Sequence, residues 1–102
     1  MARLMKGYWI ALYKRIDNSD NLKKYGDMAT PIIKNFGGKA LVRGRRFVNL
    51  EGEDYPRTVI WEFPSIKQAI KCHNSKEYQN VWAIAKDTTD RNLQIIESFN
   101  IE

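Results

Sequence analysis

The chain has 102 residues, 43% of them hydrophobic and 12% aromatic, with a formal net charge of +5 and one cysteine. This length supports one domain with a single core that buries about 60 to 70% of the unfolded surface, and it leaves no room for a second domain. A lone Cys72 excludes an internal disulfide and a thiolate metal cluster, and no run approaches the roughly 18 apolar residues of a membrane span, so a soluble, cytoplasmic protein without membrane attachment is expected.

Residues 1–6 carry Arg3 and Lys6 but no apolar stretch. They are expected to be an N-terminal extension to a single domain over 7–102. Gly7 to Ile16 then reads as a strand with two apolar faces, Tyr8, Ile10 and Leu12 alternating with Trp9, Ala11 and Tyr13. Asp17 to Asp20 offers side-chain caps to a helix whose apolar positions Leu22, Tyr25, Ala29, Ile32, Ile33 and Phe36 recur at helical spacing, ending at Gly37-Gly38. Pro31 inside this pattern predicts a kink or break near Ala29-Thr30.

Lys39 to Arg43 and Phe47 to Leu50 read as two arms of one bent strand, with a bulge expected at Gly44. Residues 51–56 form the turn. Arg57 to Phe63 returns as a strand with Val59, Trp61 and Phe63 on one face and Thr58, Ile60 and Glu62 on the other. Pro64 stops this strand, and Ser65 to Gln68 fits a capping box opening a helix with the stripe Ile66, Ala69, Ile70 and His73. Ser75 is placed to cap a further segment bearing Tyr78, Val81, Trp82 and Ala85. After the polar stretch Lys86 to Asn92, Leu93, Ile95 and Phe99 alternate with Gln94, Ile96 and Ser98 in a last strand.

The order βαββαβ predicts a ferredoxin-like α+β sandwich, an antiparallel sheet with helices on one face. Helices cover one face only, yet the first and third strands are apolar on both. A homodimer packed sheet against sheet would bury the second face symmetrically.

These elements carry a resemblance. Gly7-Tyr8-Trp9-Ile10, Phe36-Gly37-Gly38 with Leu41 to Gly44, Leu50-Glu51-Gly52, Pro56-Arg57, Ile60 to Ser65, and Asn74-Ser75 with Glu77-Tyr78-Gln79 follow in the order seen in the family called domain of unknown function 1330. The chain resembles that family from about Lys6 to the last strand. Arg45 stands where the family often has glycine, and Lys76 where it usually has proline. The resemblance implies the dimeric α+β barrel fold. It gives no reaction, but several superfamily relatives use a cavity between sheet and helices, which makes that cavity the place to look.

Candidate catalytic residues are Glu62, where a carboxylate shielded on a strand face could move protons, and His73, the single histidine, whose imidazole class titrates near neutrality. Candidate binding residues are Arg43, able to clamp a carboxylate, Tyr78, whose phenol could orient a ligand, and Glu51 and Ser75 beside them. Each has a structural alternative: an ion pair for Glu62, loop bracing for Arg43, core packing for His73 and Tyr78, pairing with Arg57 for Glu51, and helix capping for Ser75. No metal-ligand spacing occurs and no cofactor is expected.

The leading reading is a dimer binding a small polar or anionic organic molecule, with cofactor-independent acid–base chemistry as its enzymatic form. The basic charge, with Arg43, Arg45, Arg46 and Arg57 close in sequence, fits an anionic ligand. A rival is a single-stranded RNA-binding module, with Trp9, Trp61 and Phe63 as stacking platforms, although the aromatic-glycine motif of the RNA-recognition fold is absent. A third reading is a non-catalytic dimeric stress or assembly protein.

Overall fold

The structure, a computed structural model, describes residues 5–99. Its centre is β1 (Gly7–Ile16), paired antiparallel with β3 (Arg57–Phe63) on one side and with β4 (Thr89–Glu97) on the other. β2 (Lys39–Arg43) adds to the free side of β3, giving a four-stranded antiparallel sheet in the order β2-β3-β1-β4. Helices α1 (Ser19–Asn35), α2 (Ile66–Asn74) and α3 (Lys76–Trp82) complete the ferredoxin-like α+β architecture.

Strand parity divides the sheet. Trp9, Ala11, Tyr13, Val59, Trp61 and Phe63 face the helices and are buried against Tyr25, Ala29 and Ile33 of α1, Ala69 and Cys72 of α2, and Tyr78 and Val81 of α3. The opposite parity leaves Tyr8, Ile10, Leu12 and Ile60 half-buried on a face that no helix covers, with Val42 and Ile96 exposed beside them. Glu62 also belongs to that open face.

The local signals act largely as expected at the helix ends. Asn18 caps α1 through a side-chain bond from the Asn21 amide at 3.0 Å, and Ser65 caps α2 through the Gln68 amide at 3.1 Å. At the other end of α1, Gly37 takes φ +94°, and the Gly37 and Gly38 amides donate to the carbonyls of Lys34 and Ile33, a Schellman closure.

Five expectations are corrected. α1 continues through Pro31 without a break, because the proline and Asp27, whose carbonyl lacks its helical donor, are on the exposed side where water can serve that oxygen. Residues 47–50 form no strand. They are exposed in a long connection from β2 to β3, with Leu50 at 86% exposure, so the pattern of apolar residues there had no layer to pack on. The register shift in β2 falls between Ala40 and Val42, not at Gly44. On α2 the buried stripe runs through Ala69 and Cys72, whereas Ile70 is 44% exposed. β4 also begins at Thr89, earlier than the apolar alternation alone indicated.

Candidate functional site

Two cross-strand rows on the helix side build the site. In the first, Tyr13 of β1 lies between Arg57 of β3 and Arg91 of β4. In the second, Arg43 of β2 is followed by Val59, Ala11 and Leu93. α1 crosses above them with Leu22, Tyr25, Gly26 and Ala29. The partly open chamber between them holds about 40 Å³ and is lined by Tyr13, Tyr25, Trp61 and the three arginines, among others. Leu22, Gly26, Arg43 and Arg57 continue into an outer groove of about 310 Å³, which also touches Lys23 and Asp27.

Arg91 sits at the inner end. Its Nη1 donates to the hydroxyls of Tyr13 at 3.1 Å and Tyr25 at 3.3 Å, and its Nη2 donates to that of Tyr78 at 2.8 Å. Its guanidinium carbon lies 3.5 Å from the Trp82 ring centroid, a cation–π contact worth about 0.5 to 2 kcal/mol. The Tyr25 and Tyr78 hydroxyls bond to each other at 2.5 Å. Burial pushes the Tyr78 phenol well up, and the Tyr25 phenol up as well although the Arg91 charge opposes it, so both hydroxyls stay protonated. Burial pulls the Arg91 pKa down, but the neighbouring tyrosine oxygens outweigh it and the group stays cationic.

The arginines lack counter-charges. Among the described residues, Arg43, Arg57 and Arg91 make no ion pair; the ion pairs between these residues join Lys6 to Glu62, Lys14 to Glu53, Arg15 to Asp17 and Asp90, and Lys23 to Asp27. Arg57 Nε is buried without a hydrogen-bond partner. Its guanidinium lies against Gly44, at φ +62°, where a Cβ would collide with Nη1. Arg57 and Arg91 are partly shielded and Arg43 is exposed at the rim; partly shielded cations without a carboxylate partner make an environment that an anion would complete.

The structure separates the residues singled out in the sequence. Arg43 lines the chamber, and the Tyr78 hydroxyl contacts Arg91 directly. Glu62 is on the other side of the sheet, accepting from the Tyr8 hydroxyl at 3.1 Å and pairing with Lys6 at 3.6 Å rather than with Arg43. His73 is half-buried outside the chamber, its Nδ1 3.0 Å from Asn74 Oδ1 and its ring 5.9 Å from Trp9 and 5.7 Å from Tyr78. Ser75 caps α3, accepting from the Tyr78 amide at 3.1 Å and donating to the Cys72 carbonyl at 2.7 Å. Glu51 is exposed in the connection after β2 and makes no ion pair with Arg57.

Arg91 and Tyr25 were not singled out as site residues. Arg91 has the same parity as Leu93 and Ile95, so extending that alternation back by one step points it inward. Among the described residues, no group of three or more His, Cys, Asp or Glu side chains could hold a metal, and no helix is long and apolar enough to cross a membrane. Trp9, Trp61 and Phe63 are buried beneath the helices, so they are not a stacking platform for RNA bases.

The fold and site thus define a ferredoxin-like α+β protein with a cationic, tyrosine-rich chamber between sheet and helices. The chain belongs to the family described as domain of unknown function 1330, whose model matches residues 6–99. Its fold is shared by a protein of unknown function from Rhodopseudomonas palustris, with 18% identity, a TM-score of 0.74, and 96% of this chain and 85% of that one covered. A candidate antibiotic biosynthesis monooxygenase from Nitrosomonas europaea is similar at 16% identity and TM-score 0.61, covering 97% and 94% of the two chains. A dimeric protein of unknown function from Bacteroides fragilis with a ferredoxin-like fold is similar at 13% identity and TM-score 0.61, covering 91% and 96%. No curated protein matches the chain.

Proposed function

We propose that this protein binds a small organic anion in the chamber between sheet and helices, with Arg91, Arg57 and Arg43 supplying positive charge, Tyr13 and Tyr25 orienting the bound group, and Tyr78 holding Arg91 in place. The observation that carries this reading is the absence, among the described residues, of any carboxylate paired with the three arginines. Acid–base chemistry at this site would use the tyrosine hydroxyls, which suit donation to a ligand oxygen. Glu62 and His73 are not part of the chamber's lining.

The same reading includes a homodimer formed through the open sheet face, supported by the uncovered apolar row Tyr8, Ile10, Leu12 and Ile60 and by the dimeric neighbour of the same fold. Native mass spectrometry reports subunit count and retained ligand together. Tryptophan fluorescence then follows titration with simple carboxylates and phosphate, because Trp61 lines the chamber and Trp82 lies under Arg91. Saturable quenching that disappears in Arg91→Leu is expected; no response to any of these anions at millimolar concentration overturns the binding reading.

A further inference from the structure

Among the described residues, unmet donors outnumber spare acceptors around the charged row, where the phenol oxygens keep only part of their accepting capacity. A guanidinium has five N–H groups. Three from Arg91 meet the oxygens of Tyr13, Tyr25 and Tyr78, which leaves two. Between Tyr25 and Tyr78 one hydroxyl donates to the other, so one of these phenolic protons has no side-chain acceptor, and the Tyr13 proton has none either. Arg57 Nε is a further unmet donor. Asp27, the carboxylate on the outer groove, is taken by Lys23 at 3.0 Å. The complement of such a row is a group that only accepts.

Space and charge spacing narrow the class. A water needs at least about 10 to 15 Å³ by the measure that gives the inner chamber about 40 Å³, so the chamber admits a carboxylate head but not a ring or a sugar. The remainder of a ligand must lie in the outer groove, against Leu22 and Ile16, where Arg43 and Arg57 provide a second positive pole. Arg57 and Arg91 flank Tyr13 on opposite sides and stand two strand spacings apart, about 10 Å between backbones. We infer that the site takes a short dicarboxylate, or a carboxylate with an anionic second end, with its head group at Arg91 and its other end at Arg57 and Arg43, spaced by a few apolar carbons. This rests on the anion-binding reading above and adds to it the two-ended character of the ligand.

The test is a fluorescence titration of the full chain with butyrate, succinate, glutarate and inorganic phosphate. A second charge-assisted contact is worth about tenfold or more in affinity, so succinate or glutarate should bind at least about tenfold more tightly than butyrate. In Arg57→Gln, at a partly exposed strand end, the ratio of dicarboxylate to butyrate affinity should fall to about one. In Arg91→Lys, which keeps the charge and loses the planar fork, affinity for all three carboxylates should fall. Equal affinities for butyrate and the dicarboxylates overturn this inference and leave the anion site standing. Tightest binding of phosphate overturns the carboxylate assignment, as does a dicarboxylate preference that survives Arg57→Gln and Arg43→Gln together. Failure of every anion to bind overturns both readings.

Discussion

Replacing Tyr78 with phenylalanine removes one oxygen and leaves the ring that packs at 5.0 Å from Trp9 and 6.0 Å from Tyr25. That oxygen accepts from Arg91 Nη2 at 2.8 Å and shares a proton with the Tyr25 hydroxyl at 2.5 Å. A hydrogen bond to a charged group contributes about 1.5 to 3 kcal/mol, and stranding the buried partner adds to its loss, so Tyr78→Phe should destabilise the fold by about 2 to 3 kcal/mol. For a chain of this size each kcal/mol moves Tm by about 4 to 8 °C, so the melt followed by circular dichroism should shift down by roughly 8 °C or more. Tyr25→Phe should cost less, because its bond from Arg91 is longer, at 3.3 Å. The double variant should cost less than the two single losses combined, because each single change strands the other hydroxyl. A Tyr78→Phe shift below about 2 °C, or strict additivity in the cycle, would refute the view that these hydroxyls act as one buried network on Arg91.

Three further outcomes are expected. Gly44→Ala imposes a side chain at φ +62° and pushes it into the Arg57 guanidinium, so it should lower stability by about 1 kcal/mol or more and weaken carboxylate binding, read by urea unfolding and fluorescence titration. Burial, assisted by the negative charge of Glu77, pushes the Cys72 thiol up to about 12 from an ordinary 9.0; the folded state therefore holds the proton more tightly, and the stability it contributes is intact below pH 9 and lost as pH rises toward 12, at up to about 1.4 kcal/mol per unit. The urea midpoint should fall between pH 9 and 10.5, Cys72 should stay unreactive to iodoacetamide in the folded protein at pH 8, and a flat midpoint with rapid alkylation would contradict the burial. Ile10→Lys places a charge in the middle of the open sheet face and should convert a dimer to a folded monomer in sedimentation velocity, whereas an unchanged dimer mass would mean that another surface joins the copies.

The architecture was legible because its signals are local and repeated: two-residue alternation in β1 and β3, a cap at Asn18, and a paired-glycine stop at Gly37 and Gly38. The charged site was only half legible. Arg43 drew attention through neighbouring arginines, but Arg91 sits in a polar stretch where an inward-facing cation looks like solvent-exposed sequence. What buries it is the arrival of Tyr25 and Tyr78 from helices 66 and 13 residues away, a non-local event that no window of sequence contains. Glu62 misled for a related reason. Its parity with Ile60 was plain, but apolar residues on both faces gave no sign of which face the helices would take. The strand expected at Phe47 to Leu50 shows the same limit, since apolar composition reports a capacity for burial and the neighbouring layer decides whether burial occurs.

The irregularity in β2 also determines which side chain meets the chamber. Ala40 faces the helices; with strict alternation Val42 would do so next and Arg43 would project from the open face. The extra residue at Leu41 exchanges them, so the edge strand delivers a guanidinium to the chamber and a valine to the exposed sheet. The chemistry of this wall is therefore encoded in strand length as much as in residue identity. Deleting Leu41 would only remove the irregularity and leave Arg43 facing the chamber, whereas inserting one residue between Val42 and Arg43 would turn that cation to the open face, which makes single-residue insertions in this edge strand a route by which such folds can change what they bind.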